Sequence, residues 1–216
     1  MESLLQGTES QSINIISNLL YSTISKERIL LEIILPSLNI LNDMYNRGKI
    51  SETEKLLIST TILDLILMTK FVSTIDIPKL NAYSIIVSGS EEATYQARIA
   101  SVMLHLMGWH TLYLPNVESK IDPFFDIDIH RLIAKKLKNV KGLSAVMIFS
   151  FNANTLKFLS NTMKALRNKI ENDIKIVIFT NNDLLQVSQD IEVDYNTADL
   201  TSLIDWAKEQ YRNFIP

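Results

Sequence analysis

The sequence predicts an α/β protein in which an N-terminal helical bundle precedes a doubly wound sheet of five parallel strands. Three observations predict this fold class. The chain changes near residue 75, from apolar residues at helical spacing to short β-branched runs that alternate with helical stretches. Two of these runs, AVMIFS and IKIVIFT, are continuously apolar, as in strands that are buried on both faces. The chain has 216 residues, which suffices for one large domain or two small ones.

The first module, residues 1–76, is predicted to be a helical bundle. Its helices are expected over residues 10–25, 27–46 and 51–72. Pro36 should kink or restart the second helix because it lacks an N–H donor. Gly48 is a plausible left-handed cap, and Ser51 with Glu54 matches a capping box. The third helix is apolar almost all round, which predicts burial at the centre of the bundle.

The second module, residues 77–216, is predicted to be a flavodoxin-like (Rossmann-like) domain. The expected strands are Ala82–Ser88, His110–Leu114, Ser144–Ser150, Ile174–Thr180 and Ile191–Val193, with helices between them. Strict alternation of strand and helix implies a parallel sheet, and five strands favour the order 2-1-3-4-5. Ligands of such sheets bind beyond the carboxyl ends of the strands.

Composition and charge exclude several classes of function. The net charge of −3 and pI near 5.7 argue against direct nucleic-acid binding, and Lys135, Lys136, Lys138 and Lys141 are expected on a solvated helix end. The absence of cysteine excludes disulfides and thiolate chemistry. Residues 56–72 contain Asp64 and Lys70 and fall short of a membrane span. The N-terminus lacks the pattern of a signal peptide, so we expect a cytoplasmic protein without membrane contact.

No catalytic or metal-binding motif is present in the sequence. It contains no P-loop, no G-x-G-x-x-G, no G-x-S-x-G and no H-E-x-x-H. His105 is expected to be exposed and His110 to begin a strand. The segment IDPFFDIDIH, with Asp122, Asp126, Asp128 and His130, could ligate a metal, but an Asp-rich loop and helix cap is the favoured interpretation. We therefore expect neither catalytic residues nor a metal site.

Two stretches carry a resemblance to a known family. ILPSLNILNDMYNRGKISETEKLLISTTILDLI resembles the helical cap of cobalamin-binding domains, and EEATYQARIASVMLHLMGWHTLYLP resembles the first βαβ turn of those domains, ending in the matching pair Gly108-Trp109. The likeness covers roughly residues 27–190. It is similar above all to the version in light- and cobalamin-dependent transcriptional regulators and in methionine synthase. The resemblance implies a cap followed by a cobalamin-binding domain.

The resemblance also implies a crevice made of specific positions, at several of which this sequence departs from the family. These positions are Met44, Glu54, Glu91, Ala93, Gln96, Ser150 and Thr180. Glu91 takes the acidic place of the corrinoid loop, whereas Ala93 stands where the family's cobalt-ligating His falls and Gln96 where its Gly falls. Glu54 and Ser150 match the family. Lys55 replaces a cap His, Met44 replaces a cap Trp, and Thr180-Asn181 replaces paired glycines that let the nucleotide tail lie close.

These departures predict a cobalamin-binding-like fold that has lost the usual corrinoid chemistry. We expect a non-enzymatic regulatory or sensory module without a cofactor. It would act through a protein partner, such as a DNA-binding regulator, or through self-association. Two alternatives stay open: a sensor of another ligand, such as a tetrapyrrole or a small apolar molecule held between bundle and sheet, and an atypical His-off corrinoid-binding or methyl-carrier protein.

Overall fold

A computed structural model describes residues 9–72, 77–118, 123–138, 140–167, 174–189 and 191–214. The chain divides into two compact units, Met1–Ile77 and Pro78–Pro216. The first unit is helical, and the second is built on a parallel sheet. Among the described residues, no helix is long and apolar enough to cross a membrane.

The helical unit has a core of aliphatic side chains. Its elements are α1 (Glu9–Leu20), α2 (Lys26–Arg28), a π-helical segment (Ile29–Ile34), α3 (Leu35–Asn46) and α4 (Glu52–Phe71). The segment from α2 to α3 is helical without a break, and the Leu35 N–H donates to the Leu30 carbonyl, five residues back. This wide turn lies directly before Pro36. The helix was predicted to kink or restart at Pro36, and it instead continues through this residue with a widened turn before it. Ile29, Leu30 and Ile66 are fully buried.

The start of α4 confirms one prediction and corrects another. The Ser51 Oγ accepts from the Glu54 N–H (3.2 Å), and the Ser51 N–H donates to the Glu54 carboxylate (2.7 Å), so the predicted capping box is present. Gly48 before it has φ +64°, as a left-handed cap requires. Burial of the whole helix was wrong, because Leu56 and Leu57 are 65% and 59% exposed. The rest of the helical unit packs on one side of α4, whereas α4 carries apolar residues on all its sides, so some of them remain exposed.

The second unit confirms the predicted doubly wound sheet. Its strands are β1 (Ala82–Ser88), β2 (His110–Leu114), β3 (Leu143–Phe149), β4 (Ile174–Phe179) and β5 (Tyr195–Thr197), all parallel, in the order β2-β1-β3-β4-β5. Its helices are α5 (Thr94–Leu106), α6 (Pro123–Leu137), α7 (Ala153–Arg167), α8 (Asn182–Gln189) and α9 (Leu200–Phe214).

The predicted fifth strand, Ile191–Val193, was wrong by a few residues. Asp194 exchanges hydrogen bonds with Ile176 on β4 through its N–H and its carboxylate, and the ladder begins only after it. Ile191 and Val193 instead pack, partly buried, against the core of the sheet. Their apolar character therefore reflects packing against the core rather than strand pairing.

The two faces of the sheet differ in composition. The apolar face, which packs against α6 and α7, is lined mainly by aliphatic side chains such as Ile85, Val146 and Ile176. On the other face, side chains of β1 and β2 point towards α5, and four of them carry hydroxyl groups. We call this the hydroxyl face; it consists of Ser84, Ser88, Thr111 and Tyr113.

Candidate functional site

The carboxyl edge of the sheet is the place where this fold binds ligands. The order of strands reverses between β1 and β3, because β2 lies on one side of β1 and β3 on the other. The loop after β1, residues 89–93, and the loop after β3, residues 150–152, therefore border the switch-point crevice. The Phe151 N–H donates to the Ser90 Oγ across it (3.1 Å), and the Gly89 N–H donates to the Phe149 carbonyl (2.6 Å).

Side chains of the protein fill the part of this crevice beside Gly89. A Cβ placed on Gly89 would lie 2.9 Å from the Leu159 Cδ1 and 3.0 Å from both the Ser150 Cβ and the Thr155 Cγ2. Carbon atoms in ordinary contact are about 3.5–4.0 Å apart. Even one added methyl group would therefore clash, and glycine permits the close approach of the two loops.

Ser150 and Thr180 are brought together at the bottom of the same edge. Both are fully buried, and the Thr180 Oγ1 donates to the Ser150 carbonyl (2.8 Å) while the Thr180 N–H donates to the Thr197 carbonyl (3.0 Å). Beside them the rings of Phe149 and Phe179 stack with their centroids 4.9 Å apart. These two predicted site residues thus connect neighbouring loops, and the hydrogen bonds described here join them to other residues of the same unit.

The remaining predicted residues of the second unit lie where the β1 loop enters α5. Glu91 is exposed, and its carbonyl accepts from the Thr94 N–H. Ala93 is fully buried at the N-cap position of α5, which has no side-chain cap. Gln96 is half-buried, and its Oε1 has no hydrogen-bond partner among the described residues. An alanine methyl offers no lone pair, so Ala93 cannot ligate a metal.

Sequence reasoning missed a polar cluster next to this loop. We call Ser88, Thr94, Arg98 and Tyr113 the polar corner. The Ser88 Oγ donates to the Ser90 carbonyl (2.9 Å) and lies 3.0 Å from the Thr94 Oγ1. The Arg98 guanidinium lies 3.8 Å from the centre of the Tyr113 ring, as in a cation–π contact.

Two atoms of the polar corner are buried without a partner. The Arg98 Nε has none among the described residues, and the Tyr113 hydroxyl faces Ser88 and Thr94 without reaching hydrogen-bond geometry. Burial raises the pKa of the Tyr113 phenol, although the nearby positive charge of Arg98 opposes this shift. The signal in the sequence was the alternation of Thr111 with Tyr113 along β2, which puts both polar groups on one face.

The two predicted site residues of the helical unit have structural surroundings of their own. Met44 is half-buried near the end of α3, where its carbonyl accepts from the Lys49 N–H. Glu54 is exposed and its carboxylate belongs to the capping box. The hydrogen bond from the Ser51 backbone holds the pKa of Glu54 below its usual range. The role of both as ligand contacts stays a prediction.

The three histidines have structural neighbours that explain them. His105 is buried rather than exposed, because α5 is covered along its whole length from Ala97 to this residue. The His130 Nε2 lies 2.6 Å from the Thr162 carbonyl, which joins α6 to α7, and the His110 ring stacks on Tyr83. In the part of the chain that the structure describes, no group of acidic and histidine side chains could hold a metal. Asp122 and the side chain of Asp126 lie outside the described residues.

Comparison with known proteins defines the class of fold. No family model matches the chain, and no curated protein matches it significantly. Among solved structures, the monomethylamine corrinoid protein of Methanosarcina barkeri is similar with a TM-score of 0.70 and 11% identity, over 97% of this chain and 95% of that one. The chain therefore has the fold of a corrinoid protein, and the resemblance to cobalamin-binding domains is confirmed at the level of fold.

Two further solved structures are similar more distantly. A cobalamin-binding protein of Desulfitobacterium hafniense has a TM-score of 0.47 and 12% identity, over 96% of this chain and 95% of that one. The methanol:cobalamin methyltransferase complex of Methanosarcina barkeri has a TM-score of 0.40 and 14% identity, over 100% of this chain and 83% of that one.

The expectation that the chain has no cofactor is corrected by this comparison. The expectation depended on the missing histidine at Ala93, yet the solved structure that shares the fold over nearly its whole length is a corrinoid protein. A histidine at this position would make one bond to cobalt, and the other contacts of a corrinoid would not depend on it. The absence of that histidine is therefore no ground for expecting the fold to be empty.

The residues of this chain fit one part of a corrinoid and not another. A corrin ring carries amide side chains, each with a donor and an acceptor, and the unpaired atoms of Arg98 and Tyr113 are of the types that bond to such groups. The Ala93 side chain offers no ligand to cobalt, and the space beside Gly89 is filled. The hydrogen-bonding groups of the polar corner therefore suit the rim of a corrin ring, whereas the residues around Gly89 leave no room for a buried tail.

Proposed function

We propose that the chain binds a corrinoid without a protein ligand to cobalt and serves as a carrier module. The observation that carries the proposal is the pair of unpaired polar atoms of Arg98 and Tyr113, whose side chains meet where α5 packs on β2, within a fold that a corrinoid protein shares. A bound corrinoid would supply a cobalt ion able to carry a methyl group. The chain itself would be a carrier rather than a catalyst, with a partner protein acting on its cargo.

The polar atoms of the site are suited to the amides at the rim of a corrin ring. The Arg98 Nε is a donor, and the Tyr113 hydroxyl can donate or accept. A buried polar atom without a partner costs about 1–3 kcal/mol, and a ligand that pairs with it recovers this free energy. Ring binding through the rim therefore needs no histidine at position 93.

Absorbance titration of the purified chain with aquocobalamin tests this proposal. We expect saturable binding, and we expect Arg98→Gln to weaken it about tenfold or more, because hydrogen bonds to charged groups contribute about 1.5–3 kcal/mol. Arg131→Gln, at an exposed site on α6, is the matched control and should leave the affinity unchanged. No spectral change at saturating corrinoid would rule the function out.

The tetrapyrrole alternative is tested by the same titration. The polar corner includes no histidine or cysteine that could ligate heme iron, since His105, His110 and His130 lie elsewhere in the unit. We therefore expect heme to give no saturable change of its absorbance bands. A saturable heme spectrum together with a silent corrinoid titration would favour the sensor of another tetrapyrrole.

A regulatory module that acts through protein contact is the second candidate function. The observation that favours it is the pair Leu56 and Leu57, which lies exposed on the second turn of α4. Adjacent exposed leucines are typical of contact surfaces. Self-association through them would appear in the native mass of the purified chain and be lost in Leu56→Ser/Leu57→Ser. A monomer of unchanged mass in both proteins would remove self-association and leave a DNA-binding regulator as the untested partner.

A further inference from the structure

We propose that a corrinoid bound to this chain is recognised by its ring alone, and that its nucleotide tail stays outside the fold. The inference rests on the proposed function and names the class of ligand that the site accepts. That class includes corrinoids with and without a nucleotide. The proposal follows from how the switch-point crevice is closed, which involves side chains on one side, aromatic rings on the other and backbone bonds across it.

Side chains of α7 close the first side of the crevice. The space beside Gly89 holds the Leu159 Cδ1 and the Thr155 Cγ2, each too near for even a methyl group to be added. Leu159 is fully buried and belongs to the apolar core of the sheet. Moving it aside would disturb that core, because protein interiors are packed without spare volume.

Aromatic rings close the other side. Phe149 and Phe179 end β3 and β4, where they point away from the apolar face, and both are buried. Their rings stack on each other, and the Phe151 ring follows at 6.2 Å from Phe179. A flat heterocyclic base entering the sheet edge here would have to displace this stack.

Hydrogen bonds hold the two loops together across the crevice. Two hydrogen bonds connect the β1 loop to β3 and its loop: Phe151 N–H donates to Ser90 Oγ, and Gly89 N–H donates to the Phe149 carbonyl. A third connects the ends of β3 and β4, where Thr180 Oγ1 donates to the Ser150 carbonyl. Opening the crevice would break these hydrogen bonds as well as displace side chains, and each donor and acceptor would lose its partner. The crevice therefore excludes a nucleotide, and in cobalamin the base keeps the bond to cobalt that it has in free solution.

Binding of cobalamin and of cobinamide, the corrinoid without the nucleotide, distinguishes ring recognition from tail recognition. Parallel titrations with aquocobalamin and aquocobinamide should give dissociation constants within about threefold of each other. A buried base would instead favour cobalamin by about a hundredfold, from the apolar area that it removes from water. Bound cobalamin should also keep the absorbance bands of its base-coordinated form.

The outcomes separate the inference from the function on which it rests. If neither corrinoid binds, the proposed function fails and the inference falls with it. If both bind and cobalamin is preferred by about thirtyfold or more, or its bands change to the base-free form, the chain is a corrinoid protein and the inference is overturned.

A variant that opens the crevice provides a second test. Leu159→Ala removes the side chain nearest to Gly89 and should create a preference for cobalamin over cobinamide of about fivefold or more. Met163→Ala, one turn further along α7 and equally buried, is the control and should keep the two affinities equal. If Leu159→Ala does not fold by circular dichroism, Thr155→Ser removes the Cγ2 more gently. Equal affinities for cobalamin and cobinamide in a folded Leu159→Ala or Thr155→Ser variant would contradict the proposal that packing beside Gly89 is what excludes the nucleotide tail.

Discussion

The two faces of the parallel sheet are built from different chemistry. Towards α6 and α7, aliphatic side chains such as Ile85, Val146 and Ile148 interlock in one buried cluster. Towards α5, the neighbouring strands β1 and β2 present Ser84, Ser88, Thr111 and Tyr113. Hydrophobic burial explains the first face completely and leaves the second without a reason, so the second is the face on which a ligand is to be sought.

Several groups on the hydroxyl face are unpaired. Ser84 and Thr111 are register partners on adjacent strands, and neither hydroxyl has a hydrogen-bond partner among the described residues. The Tyr113 hydroxyl lies on the same face and belongs to the polar corner. A protein selected only for stability would have aliphatic residues here, because each unpaired hydroxyl costs about 1–3 kcal/mol.

The largest effect is expected on the apolar face. Ile148 is fully buried near the end of β3, so Ile148→Ala should lower the free energy of unfolding by about 2–5 kcal/mol through lost burial and the cavity left behind. Urea unfolding followed by circular dichroism measures it. A loss below about 1 kcal/mol would mean that this face is not the main source of stability.

A smaller effect is expected at α9, which lies on the same side of the sheet as α5. The Asp199 carboxylate accepts from the Ser202 N–H and Oγ, both at 2.7 Å, and caps this helix, whereas α5 has no side-chain cap. Asp199→Ala should lower the free energy of unfolding by about 1 kcal/mol at neutral pH. Chemical denaturation of both proteins at the same pH gives the difference.

The contribution of Asp199 should depend on pH. The Ser202 hydroxyl holds the pKa of this carboxyl below its usual range, so the folded state binds its proton less tightly than the unfolded chain does. Its stabilisation is complete above the unfolded-state pKa and is lost as pH falls through the folded-state pKa. The difference between the parent and Asp199→Ala should therefore shrink on acidification, and a constant difference would contradict the cap.

A subtler effect is expected at Tyr113 in alkaline solution. Burial raises the pKa of its phenol, so the folded protein resists ionisation and its stability falls as pH rises from the unfolded-state pKa, about 10, through the folded-state pKa. Tyr113→Phe should remove this alkaline loss, and near neutrality it should leave the stability unchanged or raise it by up to about 1 kcal/mol, because it removes a buried hydroxyl without a partner among the described residues. Thermal unfolding over a pH series compares the two proteins, and parallel curves would refute the assignment.

An effect opposite in sign to those at Ile148 and Asp199 is expected at Ser84. Its hydroxyl is buried and unpaired, so Ser84→Ala removes a desolvated polar group and should leave stability unchanged or raise it by up to about 1 kcal/mol. Thr69→Ala is a suitable contrast, because the Thr69 hydroxyl donates to the Leu65 carbonyl inside α4. If Ser84→Ala destabilises the protein, its hydroxyl has a partner, and the contrast between the faces weakens.

Much of the fold could be predicted because local signals agreed with tertiary packing. The apolar runs of β3 and β4, the capping box at Ser51 and the glycine at position 48 are each specified by neighbouring residues. The predicted bounds of the fifth strand and the predicted burial of α4 were wrong, because apolar residues there have another role. Ile191 and Val193 are apolar for packing, and Leu56 and Leu57 are apolar without being buried.

The site was harder to predict because its members are distant in sequence. The predicted positions Ala93 and Gln96 were found by counting along the sequence. The contact between Arg98 and Tyr113, in contrast, exists only because α5 packs on β2. The filled crevice depends on Leu159, seventy residues after Gly89 in the chain. A missing histidine is visible in a sequence, whereas a filled space is visible only in three dimensions.

The π-helical segment Ile29–Ile34 has a consequence for how the chain tolerates changes in length. Each of its turns holds one residue more than an α-helical turn, as if a single residue had been inserted into a continuous helix. Deleting one residue there would return the segment to the α-helical repeat and leave the residues on either side close to their present orientation, because the wide turn takes up the extra residue. The Ser25 cap before the segment would keep its direction. A one-residue deletion in this segment is therefore expected to be less harmful than one inside α4, where all residues on one side of the deletion would turn by about 100° around the helix axis.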